Sequence, residues 1–207
     1  MTEGDFSPLA LLHQQLALER KGVDSSGRLF RLPGENPDDM PRVLAARLAD
    51  GSYVAYLRDD LPETVMAEFR ALTPEQLYHE HAQVLGILGA SGPAWRGRTC
   101  FFSESPRPEE YPLAVQRDGT FVVEVDGVAA AEAWSSRSTD FAAELAVETR
   151  PEFQRRGYGR QVCAAWASHQ LAAGRIAFYS HNVENTASAA LARSLRVQHF
   201  MDNVNYA

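Results

Sequence analysis

The residues best suited to chemistry in this sequence form a short stretch at 154–160, with the order Gln-Arg-Arg-Gly-Tyr-Gly-Arg. Glycine at positions 157 and 159 leaves room for a ligand to approach the backbone. The first N–H groups of a helix have no acceptor inside the helix, and the helix dipole is positive at that end. If a helix begins here, the stretch predicts an anion site suited to a pyrophosphate. Three arginines add positive charge beside it: Arg155, Arg156 and Arg160.

Two glycines alone do not identify the ligand. A dinucleotide-binding turn needs a third glycine at position 162, where Val162 stands. A P-loop needs a Gly-Lys-Ser/Thr ending, which this stretch does not have. The same residues also suit an ordinary helix start with solvated arginines. The glycine spacing by itself leaves the anion site and the plain helix start both open.

The elements that must position this stretch are predicted from hydrophobic period and turn residues. Asp126-Gly127 is a strong hairpin signal, because glycine accepts the positive φ that such a turn needs. The period changes from that of strands to that of helices after residue 149. The predicted strands are 99–103, 120–125, 128–135, 141–149 and 175–180, and the predicted helices are about 157–173 and 185–195.

The first 92 residues contain mixed signals. They predict an amphipathic helix over 7–20, strands at 28–32 and 52–57, and helices between 61 and 90, one of which begins at Pro74 after the N-cap Thr73. Residues 35–42 predict a loop that opens a short helix near 42–49. Gly92-Pro93 is the best candidate for a boundary. We predict an N-terminal α/β portion, 1–92, either separate or integral to the same fold, and a core over 93–207.

The pattern Val147-x-Thr149-x-Pro151-x-x-Gln154-x-x-Gly157-x-Gly159 resembles the acyl-CoA-binding motif of the GNAT superfamily of N-acetyltransferases. That motif reads Gln/Arg-x-x-Gly-x-Gly/Ala after a strand. In the family, backbone amides of this loop hold the pyrophosphate of coenzyme A, and the preceding strand pairs with its pantetheine arm. The resemblance implies that residues from Gln154 to Arg160, with Tyr158 among them, bind the pyrophosphate. It also implies that three strand residues lie along the pantetheine: Leu145, Ala146 and Val147.

A second match follows at the expected distance. The strand near 176–181 leads into Asn185-x-x-Ser188-x-x-Leu191, which is similar to the family's Asn-x-x-Ala/Ser-x-x-Leu segment on its last helix. The resemblance implies that Asn185 and Ser188 contact the cofactor arm, although Asn185 also suits a simple N-cap. It covers residues 120–195 well and 96–119 loosely. The implied fold class is α/β, with a GNAT-type mixed, splayed sheet flanked by helices and an N-terminal α/β extension.

The implied reaction needs a group that removes a proton from an ammonium before its nitrogen attacks the thioester carbonyl. Relatives often carry a glutamate on the motif strand, which favours Glu144 as the base. Other glutamates on these strands are further candidates, and each also suits a solvated strand face: Glu124, Glu132 and Glu148. A backbone N–H where the strands separate would stabilise the oxyanion.

Many relatives place a tyrosine seven residues after the helix asparagine, where it protonates the leaving thiolate. Here that position is Ala192, which cannot donate a proton. The common Leu-Gly-Phe ending is also replaced, by Leu195-Arg196-Val197. The donors that we predict instead are Tyr179 and His181, near the end of the last parallel strand, and Tyr206, near the end of the sequence, unless the thiolate leaves unassisted.

Composition limits the partners. The chain of 207 residues has 27 acidic and 20 basic residues, a formal charge of −7. This charge disfavours non-specific nucleic-acid binding and suits an amine substrate. The two cysteines, Cys100 and Cys163, are far apart, so we predict neither a disulfide framework nor a metal site. No signal peptide or membrane-length apolar run is visible, and we expect a cytoplasmic protein.

The resemblance to the GNAT superfamily implies an N-acyltransferase. It would move an acetyl or other acyl group from acetyl-CoA to a primary amine of a small molecule or peptide, by direct attack in a ternary complex. Two alternatives stay open. One is a non-catalytic module of the same fold that binds acyl-CoA or a metabolite. The other is a nucleotide or phosphometabolite binder that uses the same helix start. A homodimer is also left open.

Overall fold

The computed structural model describes residues 7–32 and 40–207. These residues form two compact units. Residues 100–199 make up the unit that contains the predicted site, called the C-terminal unit below. The described residues up to 99, together with 200–207, make up the N-terminal unit.

The N-terminal unit is a mixed sheet with helices. Its helices are α1 (Pro8–Leu18), α2 (Glu63–Phe69), α3 (Pro74–His79) and α4 (His81–Leu88). Its strands are β1 (Lys21–Val23), β2 (Arg28–Arg31), β3 (Val43–Leu48), β4 (Tyr53–Arg58) and most of β11 (Gln198–Tyr206). The strands occur in the order β1-β2-β4-β3-β11, in which β2 and β4 are parallel and the other neighbours are antiparallel. Strand β5 (Trp95–Phe101) begins in this unit and ends in the other.

The predicted short helix near 42–49 is wrong, because these residues form β3. This strand pairs with β4 on one side and β11 on the other, and Val43, Leu44, Ala45 and Ala46 are all buried. Alanine, leucine and arginine are good helix formers. A strand buried on both faces reads as a continuous apolar run, without the alternation that marks a half-exposed strand. Pairing with distant strands therefore overrides the local preference.

The predicted helix over 7–20, the predicted strands at 28–32 and 52–57 and the helix start at Pro74 are confirmed by α1, β2, β4 and α3. Helix α3 begins at Pro74 and has a capping box, in which the Thr73 side chain accepts from the backbone N–H of Gln76 and the Gln76 side chain accepts from that of Thr73. The predicted loop over 35–42 falls largely on residues 33–39, which lie outside the described residues.

The C-terminal unit contains the predicted strand–helix–strand–helix order. Its sheet runs β6-β7-β8-β9-β10, antiparallel except for the parallel pair β9 and β10. Its strands are β6 (Val115–Arg117), β7 (Thr120–Val125), β8 (Val128–Ser138), β9 (Ala142–Thr149) and β10 (Ile176–Asn182). Its helices are α5 (Tyr158–Ala172) and α6 (Thr186–Leu195).

One core holds the C-terminal unit together. Helix α5 contributes its buried face, with Val162, Cys163 and Trp166 at 0% exposure, to a cluster that also contains residues of β7, β8, β9 and β10. Because side chains alternate along a strand, this cluster defines which face of the sheet each strand residue occupies. The position of the functional side chains on β9 and β10 follows from that alternation.

The predicted fold class is confirmed: the protein is α/β, with a mixed sheet flanked by helices and an N-terminal part that is itself α/β. The predicted division into 1–92 and 93–207 stays a prediction. Within the described ranges, none of the helices is both long and apolar enough to cross a membrane.

Tyr206 connects the last strand to the helices of the N-terminal unit. Its hydroxyl donates to the Leu77 carbonyl at 3.0 Å and lies 2.7 Å from His81 Nδ1, which must donate because the hydroxyl proton is already used. Burial raises the pKa of Tyr206 to about 12. The neutral phenol is therefore the form that the folded state prefers.

We predict that Tyr206→Phe lowers the free energy of unfolding by about 1–3 kcal/mol at pH 7, because Leu77 and His81 lose their partner. The unfolded phenol has a pKa of about 10. The contribution of the neutral Tyr206 phenol to the free energy of unfolding should therefore be fully present below pH 10 and be lost towards pH 12. The decline in stability over this pH range should be smaller in the variant. Urea unfolding across pH 7–12 measures both effects.

Tyr53→Phe is the control, because the Tyr53 hydroxyl makes one bond, to His79 Nε2 at 3.1 Å, in an exposed position. Its cost should stay below about 1 kcal/mol. An equal loss in the two variants would contradict the role given to Tyr206.

Candidate functional site

Helix α5 begins with backbone N–H groups that have no acceptor in the described part of the chain. Gly157 is the N-cap, in the left-handed region with φ of +81°, and no side chain of residues 7–32 or 40–207 caps the helix. The first bond of the helix runs from the Gln161 N–H to the Gly157 carbonyl at 3.2 Å. The three preceding amides, at 158–160, have no acceptor among the described residues. The anion site predicted from the sequence therefore has its donors free.

Gly159 brings the first turn of α5 against the end of β9. A Cβ at this position would stand 2.8 Å from Thr149 Oγ1, which is closer than real contacts allow. Gln154 spans the same turn, since its Nε2 donates to the Thr149 carbonyl at 3.3 Å. The Gln-x-x-Gly-x-Gly pattern thus has a structural reason here: the side chain of Gln154 holds the turn, and Gly159 permits the close approach.

The three arginines of the stretch differ in their surroundings. Arg155 and Arg156 are exposed, and the guanidinium carbon of Arg156 lies 5.6 Å from the centre of the Phe153 ring. Arg160 is half-buried, and its guanidinium donates to Glu110 at 2.6 Å and to the Ser194 carbonyl at 3.2 Å. Arg155 and Arg156 therefore carry their charges on the surface, and the charge of Arg160 is paired with the carboxylate of Glu110.

The two parallel strands separate in front of α5. Their pairs are Ile176 with Ala142, Ala177 with Ala143 and Phe178 with Glu144. Within the part of the chain that the structure describes, β9 and β10 form no further pair, although β9 runs on to Thr149 and β10 to Asn182. The splayed sheet implied by the resemblance is thus present.

A bulge in the next strand lies at the same level. The register of β8 shifts between Ser135 and Arg137, opposite Leu145 and Glu144, and Ser136 Oγ donates to the Glu144 carbonyl at 3.2 Å. A bulge bends its strand and increases the local twist. The extra residue in β8 therefore lies level with Glu144, at the last pair between β9 and β10.

The three residues predicted to lie along a pantetheine occupy the separated part of β9. Leu145 is buried in the core, Val147 packs partly against it, and Ala146 is half-buried opposite Trp134 of β8. This strand keeps its pairing with β8 up to Thr149. Its other edge, beyond Glu144, is the open side of the gap.

Glu144 stands at the last parallel pair and is only 6% exposed. Its Oε1 accepts a short hydrogen bond from Ser180 Oγ of β10, and its Oε2 accepts from Arg137 Nη1 of β8 at 3.2 Å. Both oxygens are therefore occupied. This carboxylate connects three strands at the point where two of them part.

Tyr179 and His181 lie on the separated part of β10, with ring centres 6.0 Å apart. The Tyr179 hydroxyl is 3.5 Å from the Ser188 carbonyl, and burial raises the pKa of Tyr179 to about 12. His181 is 7% exposed, and its Nδ1 is 2.9 Å from the Asn182 carbonyl, so Nδ1 carries a proton. Its buried Nε2 has no hydrogen-bond partner among the described residues.

The predicted catalytic residues lie on two faces of the sheet. Ala177 and Tyr179 belong to the core beneath α5, so His181, two residues further along β10, shares their face. Leu145 of β9 belongs to the same core, and its neighbour Glu144 points to the opposite face with Ser180. The structure therefore does not bring Glu144 together with the other two. They flank the gap from either side.

Asn185 is the N-cap of α6, and its Oδ1 accepts from the Ser188 N–H at 2.9 Å. The capping interpretation of Asn185 is thus confirmed, and the contact of Asn185 and Ser188 with a ligand stays a prediction. Residue 192, where relatives carry tyrosine, is a buried alanine in the core.

Sequence reasoning missed several residues around the gap and the helix start. Ser180 and Arg137 hold Glu144, but a serine or an arginine in a strand gives no signal of such a contact. Glu110 reaches Arg160 from fifty residues away, on a segment without a motif. Arg196 ends α6 and reaches the same carboxylate.

One known protein family matches the segment that contains the candidate site. Residues 122–204 match the family described as "FR47-like protein", which is related to GNAT. This match contains both motifs on which the resemblance to GNAT was based, and it confirms that resemblance. No curated protein sequence matches the chain.

Several solved structures are similar to this chain at low identity. A GCN5-related N-acetyltransferase-like protein from Streptococcus suis 89/1591 has 13% identity and a TM-score of 0.49, with coverage of 98% of this chain and 94% of that one. A GNAT-family acetyltransferase from Colwellia psychrerythraea has 11% identity and a TM-score of 0.46, with coverage of 97% and 96%. A GNAT-family protein from Novosphingobium aromaticivorans has 19% identity and a TM-score of 0.43 over 54% of this chain and 64% of its own, less than two thirds of its length. At TM-scores below 0.5, none of them assigns a residue role here.

We predict that Gly159→Ala lowers the free energy of unfolding by about 1–3 kcal/mol, because the added methyl overlaps Thr149 Oγ1. Thr149→Ala removes that atom, so the double variant should recover most of the loss, with a coupling of about 0.5–3 kcal/mol. Guanidinium unfolding of the two single variants and the double variant measures it. Additive losses would mean that Gly159 serves another purpose than this contact.

Proposed function

Because residues 122–204 belong to the GNAT superfamily, we propose that this protein is an acyl-CoA-dependent N-acyltransferase. The acyl group of acetyl-CoA, or of another acyl-CoA, passes to a primary amine of a small molecule or peptide. The amine attacks directly, in a ternary complex. No metal takes part in this proposal.

One observation carries the proposal: the open edge of β9 leads from the last pair with β10 to the free amides at 158–160. Unpaired strand groups can hydrogen-bond the amides of an extended pantetheine arm, and free N–H groups at a helix start can hold its pyrophosphate. The donor set fits a coenzyme A in this order. Residues 154–160 would bind the pyrophosphate, and 145–147 the arm.

The role of the base depends on which proton acceptor is free. The sequence favours Glu144, but both of its oxygens already accept hydrogen bonds, from Ser180 and Arg137. His181 has its Nδ1 proton on the Asn182 carbonyl, which leaves a lone pair on Nε2 in the neutral ring. A buried acceptor without a partner is costly unless a ligand supplies the donor. These contacts support His181 Nε2 as the group that takes the proton of the ammonium.

The same nitrogen can then return that proton to the sulfur that leaves. The C–N bond forms as the amine attacks, the C–S bond breaks, and the proton on Nε2 passes to the thiolate. The second proton that the attacking nitrogen loses on becoming an amide passes to solvent. This single route needs no tyrosine at position 192. Tyr179 is the weaker donor, because burial raises its pKa to about 12 and its hydroxyl already lies against the Ser188 carbonyl. Glu144 then orients the strands at the gap.

A thermal-shift experiment tests the cofactor. Acetyl-CoA at about one hundred times its Kd should stabilise the protein by about 2.7 kcal/mol, which is several degrees in Tm for a chain of this size, and ADP should do so less. Gly157→Val should remove the shift, because its side chain would project where the ligand approaches the first amides of α5.

Gly119→Val is a matched control for this variant. Gly119 has φ of +83° and Gly157 has φ of +81°, and a Cβ would meet nothing within 4 Å at either position. Both variants carry the same backbone strain, about 1–2 kcal/mol for a residue with a side chain. The control should keep the acetyl-CoA shift. If wild type shows no shift at millimolar acetyl-CoA, the proposed function fails.

A second experiment separates the two bases by thiol release from acetyl-CoA with a panel of primary amines. His181→Asn keeps a donor for the Asn182 carbonyl but loses Nε2, and we expect kcat to fall by roughly 10²–10⁴-fold. Glu144→Gln should reduce kcat less, while acetyl-CoA still stabilises both variants. The reverse order would return the role of base to Glu144.

A binding module without turnover is the second candidate function. The alanine at 192 and the occupied oxygens of Glu144 favour it. This candidate function predicts that acetyl-CoA raises the Tm of the protein while no amine of the panel causes thiol release.

A further inference from the structure

A cavity of about 810 Å³ lies in the C-terminal unit, next to the start of α5. One wall is the segment 102–110, and the other is formed by Arg160 and Ala164 of α5 with Leu195 and Arg196 at the end of α6. Its volume is within the range of small-molecule sites, about 300–1,000 Å³. Neither the motif residues 154–159 nor the catalytic candidates line it.

Two arginines of this cavity converge on one atom. Glu110 Oε2 accepts from Arg160 Nη2 at 2.6 Å and from Arg196 Nη2 at 2.7 Å. The other oxygen of Glu110 accepts from the Arg107 backbone N–H at 3.2 Å. That backbone bond, followed by Arg196 and Arg160, keeps the pKa of Glu110 below its usual value. The cluster has two positive charges and one negative charge, and its geometry is that of an anion site filled by a side chain of the protein.

The location of this cluster relates it to the proposed cofactor. Arg160 is in the first turn of α5 and contributes one of the three free amides. Its backbone therefore belongs to the proposed pyrophosphate site, while its side chain lines the neighbouring cavity. An acyl-CoA carries, besides its pyrophosphate, a phosphomonoester on the 3′ oxygen of its ribose. Arginine pairs suit such a group, because each guanidinium can donate two parallel bonds to its oxygens.

We propose that Arg160 and Arg196 form a subsite for the 3′-phosphate of the acyl-CoA and that Glu110 competes with this phosphate for the two guanidiniums. The inference rests on the proposed function. Without ligand, Glu110 holds the segment 102–110 against α5 and α6. When the phosphate binds, it replaces the carboxylate oxygen between the two arginines, and the ribose and adenine extend into the cavity.

Titration calorimetry of the full chain with coenzyme A and with dephospho-coenzyme A tests the subsite, since only the former has the 3′-phosphate. Wild type should bind coenzyme A about tenfold or more tightly than dephospho-coenzyme A, because a tenfold ratio of Kd corresponds to the free energy of about one hydrogen bond between charged groups. Arg196→Gln should reduce this ratio to about one to two. Arg193→Gln is the control: it removes an exposed arginine of the same helix and should leave the ratio as in wild type.

Glu110→Gln tests the competition. It removes the internal anion, so coenzyme A should bind roughly three- to tenfold more tightly, with little change for dephospho-coenzyme A. Glu109→Gln, the change of its exposed neighbour on the same cavity wall, should alter neither affinity.

The outcomes separate this inference from the function on which it rests. Equal affinities of wild type for the two ligands, or equal effects of the changes at 193 and 196, would overturn the subsite and leave the acyl-CoA assignment intact. Weaker coenzyme A binding by Glu110→Gln would overturn the competition. Binding of neither ligand to wild type would overturn both the subsite and the proposed function.

Discussion

The constraint on which the C-terminal unit depends is the hydrogen bonding of two parallel strands that stop pairing halfway along. A backbone N–H or carbonyl away from water needs a partner. Beyond Phe178 and Glu144, β9 and β10 no longer supply one another with partners. The open edge therefore needs water or a ligand with amide groups of its own. An extended arm with amide groups would satisfy the strand as a neighbouring strand does, and on this we base the proposal of a pantetheine in the gap.

Keeping such a gap requires that the strands be held firmly where they part. The bulge at Ser136 lies level with the last parallel pair, and Glu144 joins β8, β9 and β10 through Arg137 and Ser180. On the other face, Trp166 of α5 is fully buried and donates to Ser135 Oγ of β8 at 3.0 Å. A buried carboxylate is costly unless its oxygens accept hydrogen bonds. These partners account for Glu144 at this place without a catalytic role. The less explained group is His181, whose Nε2 has no partner within the described part of the chain.

The sequence predicted those features whose physical cause lies in neighbouring residues, and it did not predict those that depend on distant parts of the chain. The hairpin at Asp126-Gly127 was predictable because both residues adopt positive φ, of 51° and 77°, as the turn itself demands. Helix α5 and its glycine-flanked start were predictable for the same reason. Strand β3 was not, since its partners lie elsewhere in the chain and its run of leucine and alanine fits a helix better. The partners of Glu144 and Arg160 were equally hidden, because their contacts cross seven to fifty residues and leave no periodic pattern.

The charge around the start of α5 is positive, whereas the net charge of the whole chain is negative. The protein has a net charge of −7, yet Arg155, Arg156, Arg160 and Arg196 gather at or near one helix end. Acidic surroundings lower the general attraction for polyanions, while a local group of arginines focuses the field on one point. Glu110 offsets part of this charge when no ligand is bound, and so reduces the repulsion between Arg160 and Arg196. If Arg160 and Arg196 bind a phosphate as we propose, they discriminate by the position of phosphates within a ligand rather than by their number, because only an anion that reaches both guanidiniums can replace the carboxylate.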